Sequence, residues 1–389
     1  MLELLRNCDV FGPEKTGRRE ILVGGGKILW MGERLDGFPS VLDLVERDLG
    51  GRRVIPGLID GHVHLTGGGG EAGPETRVPA LQLSEFTLGG VTTVIGVLGT
   101  DDTTRTTSDL VAAARGLSAI GLTAYCHAGG YHFPPVTITG TVRGDITHIE
   151  PIIGVGELAL SDHRSSQPTL DELLRVASEA HVGGMLSGKA GIVHLHIGDG
   201  PRGLELVRQA LAGSEIPPRV FNPTHVNRRR ALFEEAVALA RQGSTIDITA
   251  FPVGDNEDAW PASTALIRYL DSGAPADRVT ISSDGGGCLP VFDHEGRMAK
   301  MDVARATAMA TTLTELLDGG HALERVLPAF TSNVAQLLRL PGKGRIAVAK
   351  DADLVTLDQQ GRVSDVMARG QWHVLEGKPV IRGPFESGA

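Results

Sequence analysis

Between residues 54 and 341, short apolar runs rich in β-branched residues alternate with stretches of helical periodicity. The strand-like runs cover residues 53–60, 91–98, 122–126, 152–157, 192–196, 219–225, 244–249 and 279–284. Helical patterns, such as those over 170–177, 203–211 and 231–240, fill gaps between them. Near-continuous apolar strands separated by helices indicate a parallel sheet covered by helices. Eight repeats of that unit over somewhat under three hundred residues predict a (β/α)8 TIM-like barrel. A doubly wound open sheet is the alternative, but no GxGxxG follows the first strand. The chain ends read differently. Residues 1–53 and 342–389 consist of short strand patterns with tight turns, the Gly24-Gly25-Gly26 turn among them. They predict a small β-sandwich domain assembled from both ends of the chain, around a barrel at 54–341.

Composition removes several function classes. A hydrophobic fraction of 41% over 389 residues suffices for a large core. The 52 glycines sit in short loops and form no repeat, which argues for many turns. The net charge of −10, with Arg228-Arg229-Arg230 as the one short basic block, makes a nucleic-acid partner unexpected. Cys8, Cys126 and Cys288 are too scattered for a disulfide framework or a CxxC metal site. The N-terminus lacks the pattern of a signal peptide, and no run of eighteen apolar residues exists. The expectation is a soluble cytoplasmic protein with no membrane association.

The chemistry-bearing residues lie where strands end. Asp60-Gly61-His62-Val63-His64 closes the first apolar run. Strand side chains alternate faces, so His62 and His64 point the same way and can grip one ion. Glu157 lies at the end of the fourth run, His196 of the fifth, His225 of the sixth and Asp284 of the eighth. In a barrel the carboxyl ends of all strands converge on one mouth. Four histidines and two carboxylates meeting there suit two divalent metals, with zinc favoured by the nitrogen and oxygen donors. His194 shares the face of His196 and is expected one layer deeper in the barrel. Of the remaining histidines, His132 and His163 lie near other polar clusters; His127, His148, His181, His294, His321 and His373 do not.

The order His-x-His, strand-end acid, His, His, Asp, followed by Gly344-Arg-Ile-Ala and Asp351-Ala-Asp-Leu-Val, resembles the amidohydrolase superfamily. Within it, longer segments resemble the isoaspartyl dipeptidases over nearly the whole chain. They are the stretch His62 to Arg77 with its Gly67–Gly70 run, Val97-Leu-Gly-Thr-Asp101, Tyr131-His132 with Thr137-Ile-Thr-Gly140, Ser161-Asp-His-Arg-Ser165, Pro223-Thr-His-Val-Asn-Arg228 and Ser282-Ser-Asp-Gly285. The resemblance implies a hydrolase that cleaves the β-aspartyl isopeptide bond of small dipeptides and assembles as an octamer. It implies two Zn2+, one on His62, His64 and Asp284, the other on His196 and His225. It further implies that a hydroxide shared by the metals attacks the carbonyl, with Asp284 as general base and then acid. Tyr131 would steady the oxyanion, and Glu71 would bind the substrate ammonium. Arg164 and Arg228 would bind its carboxylates, and Gly69 and Thr100 would line the aspartyl end. The residues support this on their own terms, because an isopeptide-linked dipeptide carries one ammonium and two carboxylates.

Two positions depart from the pattern. Where the family carries a carboxylated lysine between the metals, this chain has Glu157, which brings a carboxylate directly. Lys189 is the only lysine nearby and lies in the wrong place in the order. Cys288 stands where the family has a substrate-contacting serine, and a thiol is the poorer donor. The rival readings are an amidohydrolase acting on a cyclic amide, for which Glu71 would have no ammonium to meet, and a catalytically silent scaffold, which would be expected to have lost metal ligands.

Overall fold

A computed structural model describes residues 2–37, 43–254, 256–292 and 298–387; His294 lies outside them. The first strands are β1 (Leu2–Phe11), β2 (Lys15–Gly24), β3 (Lys27–Gly32), β4 (Leu44–Asp48) and β5 (Arg53–Pro56). Eight further strands follow: β6 (Leu58–Val63), β7 (Val91–Gly96), β8 (Thr123–Ala128), β9 (Ile152–Leu160), β10 (Ile192–Ile197), β11 (Phe221–Thr224), β12 (Ile246–Thr249) and β13 (Val279–Ser282). A hairpin of β14 (Cys288–Phe292) and β15 (Met298–Val303) comes next. The chain closes with β16 (Leu354–Leu357), β17 (Val363–Ala368), β18 (Gln371–Leu375) and β19 (Lys378–Pro379).

Strands β6 to β11 form one parallel sheet in sequence order, and β12 pairs with β13 in parallel. The sheet curls closed at two seams. Val63 bridges to Gly285, where His64 N donates to Gly285 O at 2.8 Å. Between β11 and β12, polar side chains take the place of a backbone ladder. Asn222 Nδ2 donates to Thr245 O at 2.8 Å, and Thr224 Oγ1 donates to Asp247 Oδ2 at 2.7 Å. Helices such as Thr107–Ala119, Leu170–Ser187 and Arg230–Ala240 cover the outside. Leu110, Ala114, Leu173, Ala177, Phe233 and Val237 from these helices are buried against the strands in one continuous apolar core. The alternation legible in the sequence is thus an α/β barrel.

The ends of the chain build a separate nine-stranded mixed sheet, ordered β19-β18-β17-β16-β5-β1-β2-β3, with β4 also paired to β1. It encloses its own core, where Leu5, Cys8, Ile21 and Val54 meet Leu354 and Met367. The structure divides one expected strand. Residues 53–60 read as a single run, but Arg53–Pro56 pairs with β1 and β16, whereas Leu58 begins the barrel. The switch happens at Gly57, whose N–H donates to Asp353 O while Leu58 N donates to Gly90 O. A Cβ on Gly57 would stand 2.1 Å from Thr92 Oγ1, so no side chain fits at the crossover.

Candidate metal centre and cleft

His62 lies in β6 and His64 just beyond it, so the extended chain aims both rings into the barrel mouth. Glu157 sits within β9, which runs on to Leu160, and His196 within β10. His225 and Asp284 follow β11 and β13 with φ of 60° and 55°. That left-handed region is uncommon for residues with a Cβ, and the turn it makes sends both side chains back over the strand ends.

These side chains converge. His62 Nε2 is 2.8 Å from Glu157 Oε2 and 3.3 Å from Asp284 Oδ1, and His64 Nε2 is 3.1 Å from the same Asp284 oxygen. His225 Nε2 lies 3.5 Å from Glu157 Oε2. Two groups therefore have donor atoms within 4.8 Å of one another: His62, His64 and Asp284, and His62, Glu157 and His225. His62 Nε2, Glu157 Oε2 and Asp284 Oδ1 are buried and make no well-aligned hydrogen bond despite their closeness. Lone pairs aimed at common points rather than at one another fit a bound cation. The charges agree. Burial pushes the Glu157 carboxyl up, but His62, with His196 and His225 close by, outweighs it and holds it well below the usual range. Asp284 is also held low, by His62 and His64 against the penalty of burial. Burial pulls His62 down, yet the carboxylates of Glu157 and Asp284 raise it well above an ordinary imidazole. Burial keeps His225 neutral, with its pKa lowered to about 3, which leaves its lone pair available to a metal.

His196 stands apart from both groups. Its Nδ1 meets the Tyr131 hydroxyl at 2.7 Å and is 3.6 Å from Glu157 Oε1. Its Nε2 faces Asp162 Oδ2 at 2.9 Å. Asp162 is a neighbour that strand-end reasoning passed over, although Ser161-Asp-His-Arg-Ser165 contains it. Lys189 is excluded from the centre: its Nζ caps the carbonyls of Ile146, Ile149 and Ile152. His194 lies behind His62 with Nε2 2.8 Å from His62 Nδ1.

A cleft of about 990 Å³ opens over the cluster and brings together all the expected substrate contacts. Gly69, Glu71, Thr100, Tyr131, Arg164, Arg228 and Cys288 line it. Arg164 holds Asp162 with Nε at 3.0 Å and Nη2 at 2.8 Å, and turns Nη1 toward Glu71 Oε1 at 3.3 Å. Thr100 Oγ1 donates to the same Glu71 oxygen at 3.2 Å. Arg228 pairs with Asp199 and donates to Ile197 O. Both arginines thus have protein partners as well as a face on the cleft. Tyr131 is buried, and burial together with Glu157 raises its phenol well above the usual range, so it is a proton donor rather than a phenolate. Burial and Glu71 push the Cys288 thiol up to about 11, which keeps it a neutral thiol.

Several lining residues had no signal in the sequence. Phe251, Pro252, Val253 and Gly254 follow β12, whose end carries none of the expected site residues, and Leu289 with Asp302 comes from the β14–β15 hairpin. Arg105 is the most consequential. Its buried guanidinium donates to the carbonyls of Thr66, Gly68, Gly69 and Val78 and to Asp101, which pins the glycine run against the cleft. Gly67 and Gly69 adopt φ of 77° and 73°, and a Cβ on Gly67 would lie 1.9 Å from Val78 O. The run brings backbone, not side chains, to the site.

A parallel barrel with a histidine and carboxylate cluster at the carboxyl ends of its strands is the architecture of a metal-dependent hydrolase, and residues 53–373 match the Amidohydrolase family, to which this chain belongs. A β-aspartyl dipeptidase from the thermophilic, keratin-degrading Fervidobacterium islandicum AW-1, solved with β-Asp-Leu dipeptide, is 42% identical. The match covers 97% of each chain at a TM-score of 0.93. Imidazolonepropionase of Paracoccus denitrificans (strain Pd 1222) is 24% identical over 363 residues, 87% of each protein. The dihydropyrimidinase of Brevibacillus agri NCHU1002 shares the fold at 17% identity and a TM-score of 0.68, over 98% of this chain and 97% of that one.

Proposed function

We propose that this protein is a zinc-dependent dipeptidase that cleaves the β-aspartyl isopeptide bond. The observation that carries the reading is the charge layout of the cleft: Glu71 and two guanidiniums, Arg164 and Arg228, ring the histidine and carboxylate cluster. A β-aspartyl dipeptide has one ammonium and two carboxylates to match them. The likeness to a β-aspartyl dipeptidase over 97% of both chains supports the same substrate class.

In this reading His62, His64 and Asp284 would hold one metal and His196 and His225 the other, with the Glu157 carboxylate shared between them. His196 would offer Nδ1, the nitrogen that meets the Tyr131 hydroxyl. Metals held there would supply an acidified water and polarisation of the scissile carbonyl. Glu71, aided by Thr100, receives the α-ammonium, and the backbone at Gly69 borders the aspartyl end. Arg164 Nη1 and Arg228 hold the carboxylates, and Cys288 abuts the substrate with a weak donor. Tyr131 donates its phenolic proton toward the carbonyl oxygen as negative charge develops there. Asp284 accepts the proton of the attacking water and returns it to the leaving amine, since a carboxylate held low accepts it only transiently. Residues 54–341 form the catalytic unit, residues 1–53 and 342–389 the supporting β domain, and the enzyme works in the cytoplasm as a homo-oligomer, with an octamer the expected form.

The test is an assay of the zinc-loaded protein on β-Asp-Leu, α-Asp-Leu and a cyclic amide such as a hydantoin. Selective hydrolysis of β-Asp-Leu is expected. Equal cleavage of the two dipeptides sinks the reading, and turnover of the cyclic amide alone replaces it with a cyclic-amide hydrolase.

A further inference from the structure

Behind the cluster, two buried polar residues form a chain that ends on a backbone carbonyl. His62 Nδ1 lies 2.8 Å from His194 Nε2, and His194 Nδ1 lies 2.7 Å from Asn222 Oδ1. Asn222 Nδ2 donates to Thr245 O at 2.8 Å. All three side chains are buried, at 0%, 2% and 2% exposure, so water does not compete for these bonds. They come from β6, β10 and β11, and Thr245 lies just before β12.

The bonds leave one consistent proton arrangement. Thr245 O can only accept, so the Asn222 amide nitrogen faces it and Oδ1 faces His194. That oxygen requires a proton on His194 Nδ1. A neutral His194 then accepts at Nε2, so His62 must donate from Nδ1. The tautomer with hydrogen on Nδ1 leaves the lone pair of His62 on Nε2, the nitrogen 2.8 Å from Glu157 and 3.3 Å from Asp284. His127 packs against His194 with ring centroids 5.5 Å apart, yet its nitrogens have no hydrogen-bond partner among the described residues, so the chain turns sideways to Asn222 instead of continuing down the barrel.

We propose that His194 and Asn222 are positioning residues that set His62 in its metal-binding tautomer and orientation. The inference rests on His62 being a metal ligand. A partner that fixes a ligating imidazole contributes about 10- to 100-fold in metal affinity.

The experiment measures zinc affinity by competition with a chromophoric chelator and reads the tautomer of His62 by 15N NMR of histidine-labelled protein. Wild type, H194F, H194Q and N222L are compared, and the fold of each stripped protein is checked by circular dichroism. H194F keeps an aromatic ring but can neither accept nor donate a hydrogen bond, and is expected to lose about 10- to 100-fold in affinity at one of the two sites. N222L should fall in the same direction. H194Q offers Oε1 to His62 and Nε2 to Asn222 and should recover most of the loss. In wild type His62 should carry its hydrogen on Nδ1. Folded H194F and N222L that hold zinc as tightly as wild type overturn the proposal, as does a wild-type His62 that carries no hydrogen on Nδ1. If H194F does not fold, the affinity of N222L decides alone. A wild type that binds no metal defeats the metal reading itself, a result distinct from failure of the relay.

Discussion

Single side chains set the clearest expectations. The Tyr131 phenol is buried beside His196 and kept protonated, and in the proposed mechanism Y131F would remove one hydrogen bond to developing charge. We expect kcat on β-Asp-Leu to fall by about 10² to 10³ with little change in KM. Glu71 should matter through charge. E71Q should lower kcat/KM by roughly ten- to a hundredfold on β-Asp-Leu, the weight of a charged hydrogen bond, and the loss should vanish on the N-acetylated substrate. An equal loss on both substrates would remove Glu71 from ammonium binding. At this scale the sequence was most legible where a residue type and its spacing have one main use, as with His62 and His64. His196 was expected at the barrel mouth and lines the cleft, but its contacts were not readable. Which ring nitrogen faces Glu157 depends on Asp162, Arg164 and Tyr131, brought to it from other strands.

At the scale of elements, strands and helices followed from periodicity, but the loops that shape the cleft did not. Arg105 illustrates why. Its partners are chiefly backbone carbonyls of the 66–69 run and Val78, and carbonyls carry no sequence signature. We expect R105M to destabilise the protein by about 3 kcal/mol, through buried acceptors left unpaired, and to raise KM as the glycine run loosens. Urea unfolding and steady-state kinetics measure the two effects, and wild-type values in both would refute the pinning role. The break at Gly57 was hidden for a related reason. Residues 53–60 satisfy a strand pattern throughout, and only the competing partners, Asp353 O on one side and Gly90 O on the other, divide them between two sheets.

Across the whole molecule, Lys343 joins the barrel to the nine-stranded sheet. Its buried ammonium bonds Thr123 Oγ1 in β8 at 2.7 Å, Asp353 at 2.6 Å and Asp351 at 2.9 Å. K343M leaves Asp353 buried without its cation and should cost about 3–5 kcal/mol, read by chemical denaturation. The pH dependence has two edges. Burial penalises the Lys343 ammonium, but Asp353 and Asp351 outweigh it and raise the pKa. Its contribution is therefore full below the ordinary lysine value of about 10.4 and is lost as pH rises through the folded value. Burial works against Asp351 as well, yet Lys27 and Lys343 hold its carboxyl low. That contribution is present above the ordinary carboxylate value of about 4 and is lost as pH falls below it. K343M should flatten the alkaline edge; an unchanged edge would place the titrating group elsewhere. Removal of metal should lower the melting temperature, since a ligand at a hundredfold its Kd stabilises by about 2.7 kcal/mol. Among the described residues no helix is long and apolar enough to cross a membrane.

Side-chain alternation and helical periodicity are properties of consecutive residues, so the order of strands and helices, and the strand ends that carry the clustered histidines and carboxylates, could be read along the chain. How the barrel closes, where the chain passes from one sheet to the other, and what stands behind each clustered side chain became visible only in the packed molecule. Closure relies on Asn222, Thr224 and Asp247 across a seam that has no backbone ladder. The tautomer of His62 depends on His194, 132 residues away, and on Asn222 beyond it. Such partners meet only when strands distant in the chain close into a ring, and their hydrogen bonds depend on direction as well as residue type.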